Sequence, residues 1–279
     1  MIQLVALLLS LLMVLACHEQ RETHSREVEE LKDTLKMDSI SNSISDSLQI
    51  SADFSEKREE VFDDFMYDFM RNSRFQRSRI AFPLPYYQSD SIIQMIHRND
   101  WKHNRMYADS LSYTMIFADL NAMASESDTL TKTVSVEWAY LHERMVHQYV
   151  FSKSTGEWML ESIRKQSFEN HPNGDFYEFY NLFSTNDMYR KDHIMDPFLF
   201  KTIDLETQQD IEGWVHPEQW EVYSPVLPID VITNIDYSQP YAYSNQRVMV
   251  ISNPTEGLYS LLIFRRDARR GWLLEQLEN

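Results

Sequence analysis

The chain has 279 residues, 26 Lys+Arg against 43 Asp+Glu, and a formal net charge of -17. So acidic a surface repels nucleic acid, which excludes that partner class. With only 5 Gly, there is no glycine-rich phosphate loop and no GxGxxG pattern, and the 15 Phe, 15 Tyr and 6 Trp point to an aromatic core.

Residues 2–16 carry no charge and only Gln3 and Ser10 as polar interruptions. The run is too short for a comfortable membrane span, which needs about 20 residues, and it fits the apolar region of an export signal. It ends in Val14-Leu15-Ala16-Cys17, followed at once by His18, Glu19, Gln20 and Arg21. This sequence is similar to the bacterial lipobox, in which the cysteine is acylated and becomes the new N-terminus. The resemblance implies a signal peptide over 1–16, lipid attachment at Cys17 and a cell-envelope location on a membrane. It departs from the usual pattern in having no Lys or Arg before the apolar run. Cys17 is the single cysteine, so the rest of the chain holds no disulfide.

Residues 17–53 read as a polar tether. The tract Asp38-Ser39-Ile40-Ser41-Asn42-Ser43-Ile44-Ser45-Asp46-Ser47 has too little apolar surface to order itself. A flexible tether of this length spans roughly 30–35 Å. The alternative is a helix packed on the body through Ile40, Ile44 and Leu48.

From residue 54 the patterning becomes globular. Val61, Phe62, Phe65, Met66, Phe69 and Met70 form one apolar stripe at helical period. Phe176, Phe179 and Phe183 repeat the spacing of Phe62, Phe65 and Phe69 at an offset of 114 residues. The same offset relates Tyr189 to Phe75, Ile194 to Ile80, Pro197 to Pro83, Trp272 to Trp158 and Glu275 to Glu161. One offset at both ends marks an internal duplication, with halves over 54–166 and 167–279. After the helices, alternating stretches such as Val134, Val136 and Trp138, or Met145, His147, Tyr149 and Phe151, read as antiparallel hairpins. The expected class is α+β: two tandem cone-like halves, each with N-terminal helices packed on a curved antiparallel sheet.

A helical start, a short second helix and a sheet ending in Gly-(x)-Trp-x-Leu-Glu resembles the nuclear-transport-factor-2-like cone. Phe62-x-x-Phe65-x-x-x-Phe69, then Phe75-Gln76-x-x-Arg79-Ile80-x-Phe82-Pro83-Leu84 and Trp101, resembles a family of exported lipoproteins, domain of unknown function 4348. The resemblance covers residues 56–279. In the second half His193 stands for Arg79 and Asp196 for Phe82, and Pro217 and Pro228 interrupt the middle. The family implies a fold and no activity.

Few residues carry chemistry. His142 and His147 are five apart, which is not the i, i+4 spacing of a helical zinc site, so no metal is expected. His97, Asp100 and His103 around Trp101 read as a surface segment with the indole packed inward, and Asp63, Asp64 and Asp68 as the solvated side of the first helix. No catalytic residue and no cofactor is expected. Arg79 lies in an apolar run, where a guanidinium needs a partner. In a cone it can bind an anionic ligand, with Trp101 and Tyr107 as walls, or form a structural ion pair. The expected role is a membrane-tethered, non-enzymatic module that binds a small molecule or an envelope protein. The alternatives are a structural envelope spacer and an isomerase or hydrolase with a cone-shaped pocket.

Overall fold

The computed structural model describes residues 60–108, 110, 112–124, 131–154, 156–204, 206–253 and 258–279. The signal segment, Cys17, the tether and the start of the first half at residue 54 lie outside these residues. The compact unit Glu59–Asp204 with Asp210–Asn279 contains the two helical starts and all the strands.

The first apolar stripe folds as α1 (Phe62–Arg71), and Asn72 caps the following α2 (Ser73–Ser78), its side chain accepting from Arg74 N and Phe75 N. The second half repeats this with α4 (Gly174–Thr185) and α5 (Asp187–Asp192), capped by Asn186. A short α3 (Leu120–Ala124) and α6 (Trp220–Tyr223) lie between strands. The strands are β1 (Leu84–Gln88), β2 (Ser91–Ile96), β3 (Tyr113–Phe117), β4 (Thr133–Tyr140), β5 (Met145–Lys153) and β6 (Trp158–Ser167). Their counterparts are β7 (Ile194–Ile203), β8 (Asp210–Val215), β9 (Val231–Asp236), β10 (Gln246–Asn253), β11 (Leu258–Asp267) and β12 (Gly271–Glu278). The molecule is therefore α+β, with two cone-like halves and two curved sheets, as the sequence implies.

Each half is closed by one phenylalanine. Phe151 on β5 lies 5.5, 5.7 and 5.2 Å from the rings of Phe62, Phe65 and Phe69. Phe264 on β11 lies 5.3, 5.5 and 5.4 Å from Phe176, Phe179 and Phe183. These rings meet edge to face, the favoured geometry of aromatic pairs. Glu161 and Glu275 each sit at a register shift, where β6 and β12 insert one extra residue. A bulge there keeps both Leu160 and Ile163 on the inner face although they are three apart.

Two features correct the sequence reading, which expects an antiparallel sheet contained within each half. The sheets are mixed, because the strand entering from the helices lies parallel to the last strand: β1 beside β6 and β7 beside β12. The orders β2-β1-β6-β5-β4-β9 and β8-β7-β12-β11-β10-β3 also show a reciprocal exchange. The third strand of each half completes the sheet of the other. β9 pairs antiparallel with β4, and β3 with β10. A cut at 166/167 falls at the end of β6 and leaves each sheet short of its terminal strand.

Where the two exchanged strands meet, Thr114 and Thr233 bond to each other four times. Thr114 N donates to Thr233 Oγ1 at 2.8 Å, and Thr233 N to Thr114 Oγ1 at 2.8 Å. Each hydroxyl in turn donates to the other residue's carbonyl, at 2.6 and 2.9 Å. Both hydroxyls thus close the backbone groups of strands that leave their own sheets.

Candidate functional site

A cavity of about 310 Å³ opens beside this crossing. The helix α1 supplies Asp63 and Tyr67 from its exposed side and the buried Met70. The segment into β3 supplies Tyr107, Tyr113, Thr114 and Met115, and β9 with its exit supplies Thr233, Asn234, Ile235 and Tyr237. Both halves therefore build one site, through the strand exchange. Its walls are four phenols with methionine and isoleucine, the mostly apolar lining with a few convergent polar groups that suits a small ligand. Asp63 Oδ1 accepts from the Tyr237 hydroxyl at 2.8 Å. Among the described residues, neither Asp63 Oδ2 nor the Tyr107 hydroxyl has a hydrogen-bond partner. Burial, the Asp63 charge and the neighbouring Tyr113 raise the pKa of Tyr107, so it is a neutral phenol able to donate.

The floor of the cavity leads to a buried polar cluster. Asn234 reaches inward to Glu137, whose carboxylate is fully buried on β4. Glu137 Oε1 accepts from Gln148 Nε2 at 2.6 Å and His171 Nε2 at 3.2 Å, and Oε2 from the Tyr177 hydroxyl at 3.1 Å. His171 Nδ1 accepts from the backbone N of Asn173 at 3.1 Å, which places the proton of a neutral imidazole on Nε2, aimed at Glu137. Burial pushes the Glu137 pKa up. The His171 imidazole, with the amides of Gln148 and Asn234, outweighs that and holds it below the usual value. Nearby Asp236 is the opposite case: burial and the Glu137 charge raise it to about 7 against its backbone bonds from Gln239 and Ser238. The cluster joins β4 and β5 of one half to α4 and β9 of the other. Tyr177, in the position of Asp63, fills the interior there.

The three sequence candidates do not come together. Tyr107 lines the cavity. Arg79 forms a fork with Glu60, at 3.1 and 3.0 Å, and a bond to Trp158 O at 3.2 Å, so its guanidinium is committed to the protein. Trp101 is buried, its Nε1 donating to Gln76 Oε1 at 3.0 Å, and it is not among the lining residues. Gln76 donates to Phe69 O, and the equivalent Arg190 to Phe183 O, so a helix end is tied down the same way by different side chains.

The remaining motifs disperse. His142 pairs with Asp230 at 3.1 Å, whereas His147 on β5 lies against Tyr140 on β4. His97, Asp100 and His103 are exposed. His193 stacks on Tyr189 at 3.8 Å, and Asp196 meets His216 at 2.6 Å. Among the described residues no group of three His, Cys, Asp or Glu is placed to hold a metal, and no helix is long and apolar enough to cross a membrane. Asp63 was legible only as a solvated carboxylate, since nothing in the sequence brings β9 to α1.

Helices laid on a curved sheet, with a cavity beside the first helix, define a nuclear-transport-factor-2-like protein. The chain is similar to a solved NTF2-like protein from Bacteroides fragilis NCTC 9343, at 34% identity and a TM-score of 0.69, over 79% of this chain and 96% of that one. The chain belongs to the family described as "Domain of unknown function (DUF4348)", whose model matches residues 41–279. No curated protein matches it.

Proposed function

We propose that the protein is an exported lipoprotein, tethered to a membrane through Cys17, whose folded body binds a small molecule without transforming it. The observation that carries the binding reading is the tyrosine-walled cavity, with the Tyr107 hydroxyl and Asp63 Oδ2, unpaired among the described residues, at its lining. The tether reading rests on the Val-Leu-Ala-Cys motif. A cone-pocket isomerase or hydrolase needs a carboxyl group of raised pKa facing the cavity. Asp236 has the raised pKa but does not line the cavity, and Asp63 lines it but is exposed.

The test is native mass spectrometry of the protein purified from its own host. A small molecule retained by the wild type and lost from Ile235→Trp, which fills the cavity, supports the reading. Empty protein in both cases counts against it and favours the spacer reading, which the aromatic packing under α1 and α4 also suits. Labelled palmitate entering the wild type but not Cys17→Ser tests the anchor separately.

A further inference from the structure

The chemistry of the lining selects a charge type. The cavity presents four phenol rings, from Tyr67, Tyr107, Tyr113 and Tyr237, and one carboxylate, Asp63, and neither Lys nor Arg is among its lining residues. Phenol faces carry negative potential and attract cations, more strongly where water is excluded. Tyr67 already shows this preference: the Arg71 guanidinium lies over its ring at 3.8 Å. Asp63 uses Oδ1 for Tyr237, and its Oδ2 is open to a further donor or cation among the described residues. An anionic ligand meets the Asp63 charge with no counter-cation in the lining. A neutral apolar ligand leaves the polar atoms of Tyr107 and Asp63 unanswered, at a desolvation cost. The net charge of -17 also draws cations toward the molecule.

Resting on the binding reading above, we infer that the cavity takes a small organic cation, an alkylammonium or quaternary ammonium group. It sits among Tyr107, Tyr113 and Tyr237 with Asp63 as its counter-charge.

Three probes of one shape but different charge decide it: choline, 3,3-dimethylbutan-1-ol and 3,3-dimethylbutanoate. They are titrated into the intact chain while the methyl resonances of Met70 and Met115, both in the lining, are followed by NMR. Choline is expected to shift both signals with a Kd about tenfold tighter than the alcohol, and the anion to be weakest. Asp63→Asn is expected to weaken choline about tenfold and leave the melting temperature unchanged, Asp63 being exposed. Equal binding of choline and the alcohol, or preference for the anion, overturns the cation inference while leaving the cavity a binding site. Silence from all three probes also overturns it. The binding reading itself falls only if the protein from its host carries nothing that Ile235→Trp loses.

Discussion

Thr114 and Thr233, on strands of different halves, bond to each other through both their backbones and both their hydroxyls. Each stands on a strand that has left its own sheet, so this pair sits at the point where the two halves pass through one another. Removing one hydroxyl leaves the partner's backbone N–H without its acceptor. Thr114→Val and Thr233→Val are each expected to destabilise by about 1–3 kcal/mol in urea titrations, and the double variant by less than the sum. Strict additivity would mean the four bonds do not act as a unit.

The exchange has a second consequence. Residues 54–166 expressed alone retain β3, whose partner β10 is absent, and expose the edge of β4 where β9 belongs. That piece is expected to elute as a dimer trading β3, or to aggregate. A folded monomer in size-exclusion chromatography would show that β3 can return to its own sheet.

Asp236 sets a pH dependence. Its folded pKa of about 7 lies above the unfolded carboxyl value of 3.8. Between these values the folded state binds more protons, so stability falls as pH rises through that window. The contribution is present in full below the unfolded value and gone above about 7. Glu137 acts in reverse: its lowered pKa gives stability that is lost as pH falls below the carboxylate range. Asp236→Asn is expected to raise the melting temperature at pH 8 and to flatten its slope between pH 5 and 8. An unchanged slope would remove Asp236 as the source.

Arg79 separates structure from ligand. Arg79→Met breaks the fork to Glu60 and the bond to Trp158 O. It leaves Glu60 half-paired, with bonds from Trp158 N only. A loss of about 1–3 kcal/mol is expected in thermal unfolding, with unaltered ligand retention in native mass spectrometry. Loss of retention with unchanged stability would restore Arg79 as a ligand contact.

Phe151 and Phe264 close their cones equivalently, so Phe151→Ala and Phe264→Ala are each expected to cost about 3–5 kcal/mol in denaturant titration. A much smaller loss at one of them would show that its half collapses to fill the gap.

The duplication was legible because helix faces, caps and last strands keep one spacing. Phe62 and Phe176, Asn72 and Asn186, Glu161 and Glu275 do the same work in each half. Strand exchange left no such trace, since β3 and β9 show the same alternation whichever sheet they join. The site failed to show for the same reason. Tyr107 and Asp63 are 44 residues apart, and Thr233 follows a further loop whose length differs between halves. Arg79 stands out in the sequence as a cation in an apolar run, whereas its partner Glu60 lies just ahead of the apolar stripe of α1.

Tyr177 occupies the place that Asp63 holds in the first half, and its ring lies inside with the hydroxyl on Glu137. Two identical subunits trading strands would be bound to change both sides of the crossing at once, since every substitution appears twice. Joining the copies in one polypeptide lifts that constraint. One side of the crossing holds the hydrogen-bonded Glu137 cluster while the equivalent side is hollow, so the cavity proposed as a binding site occurs on one side of the crossing alone among the described residues.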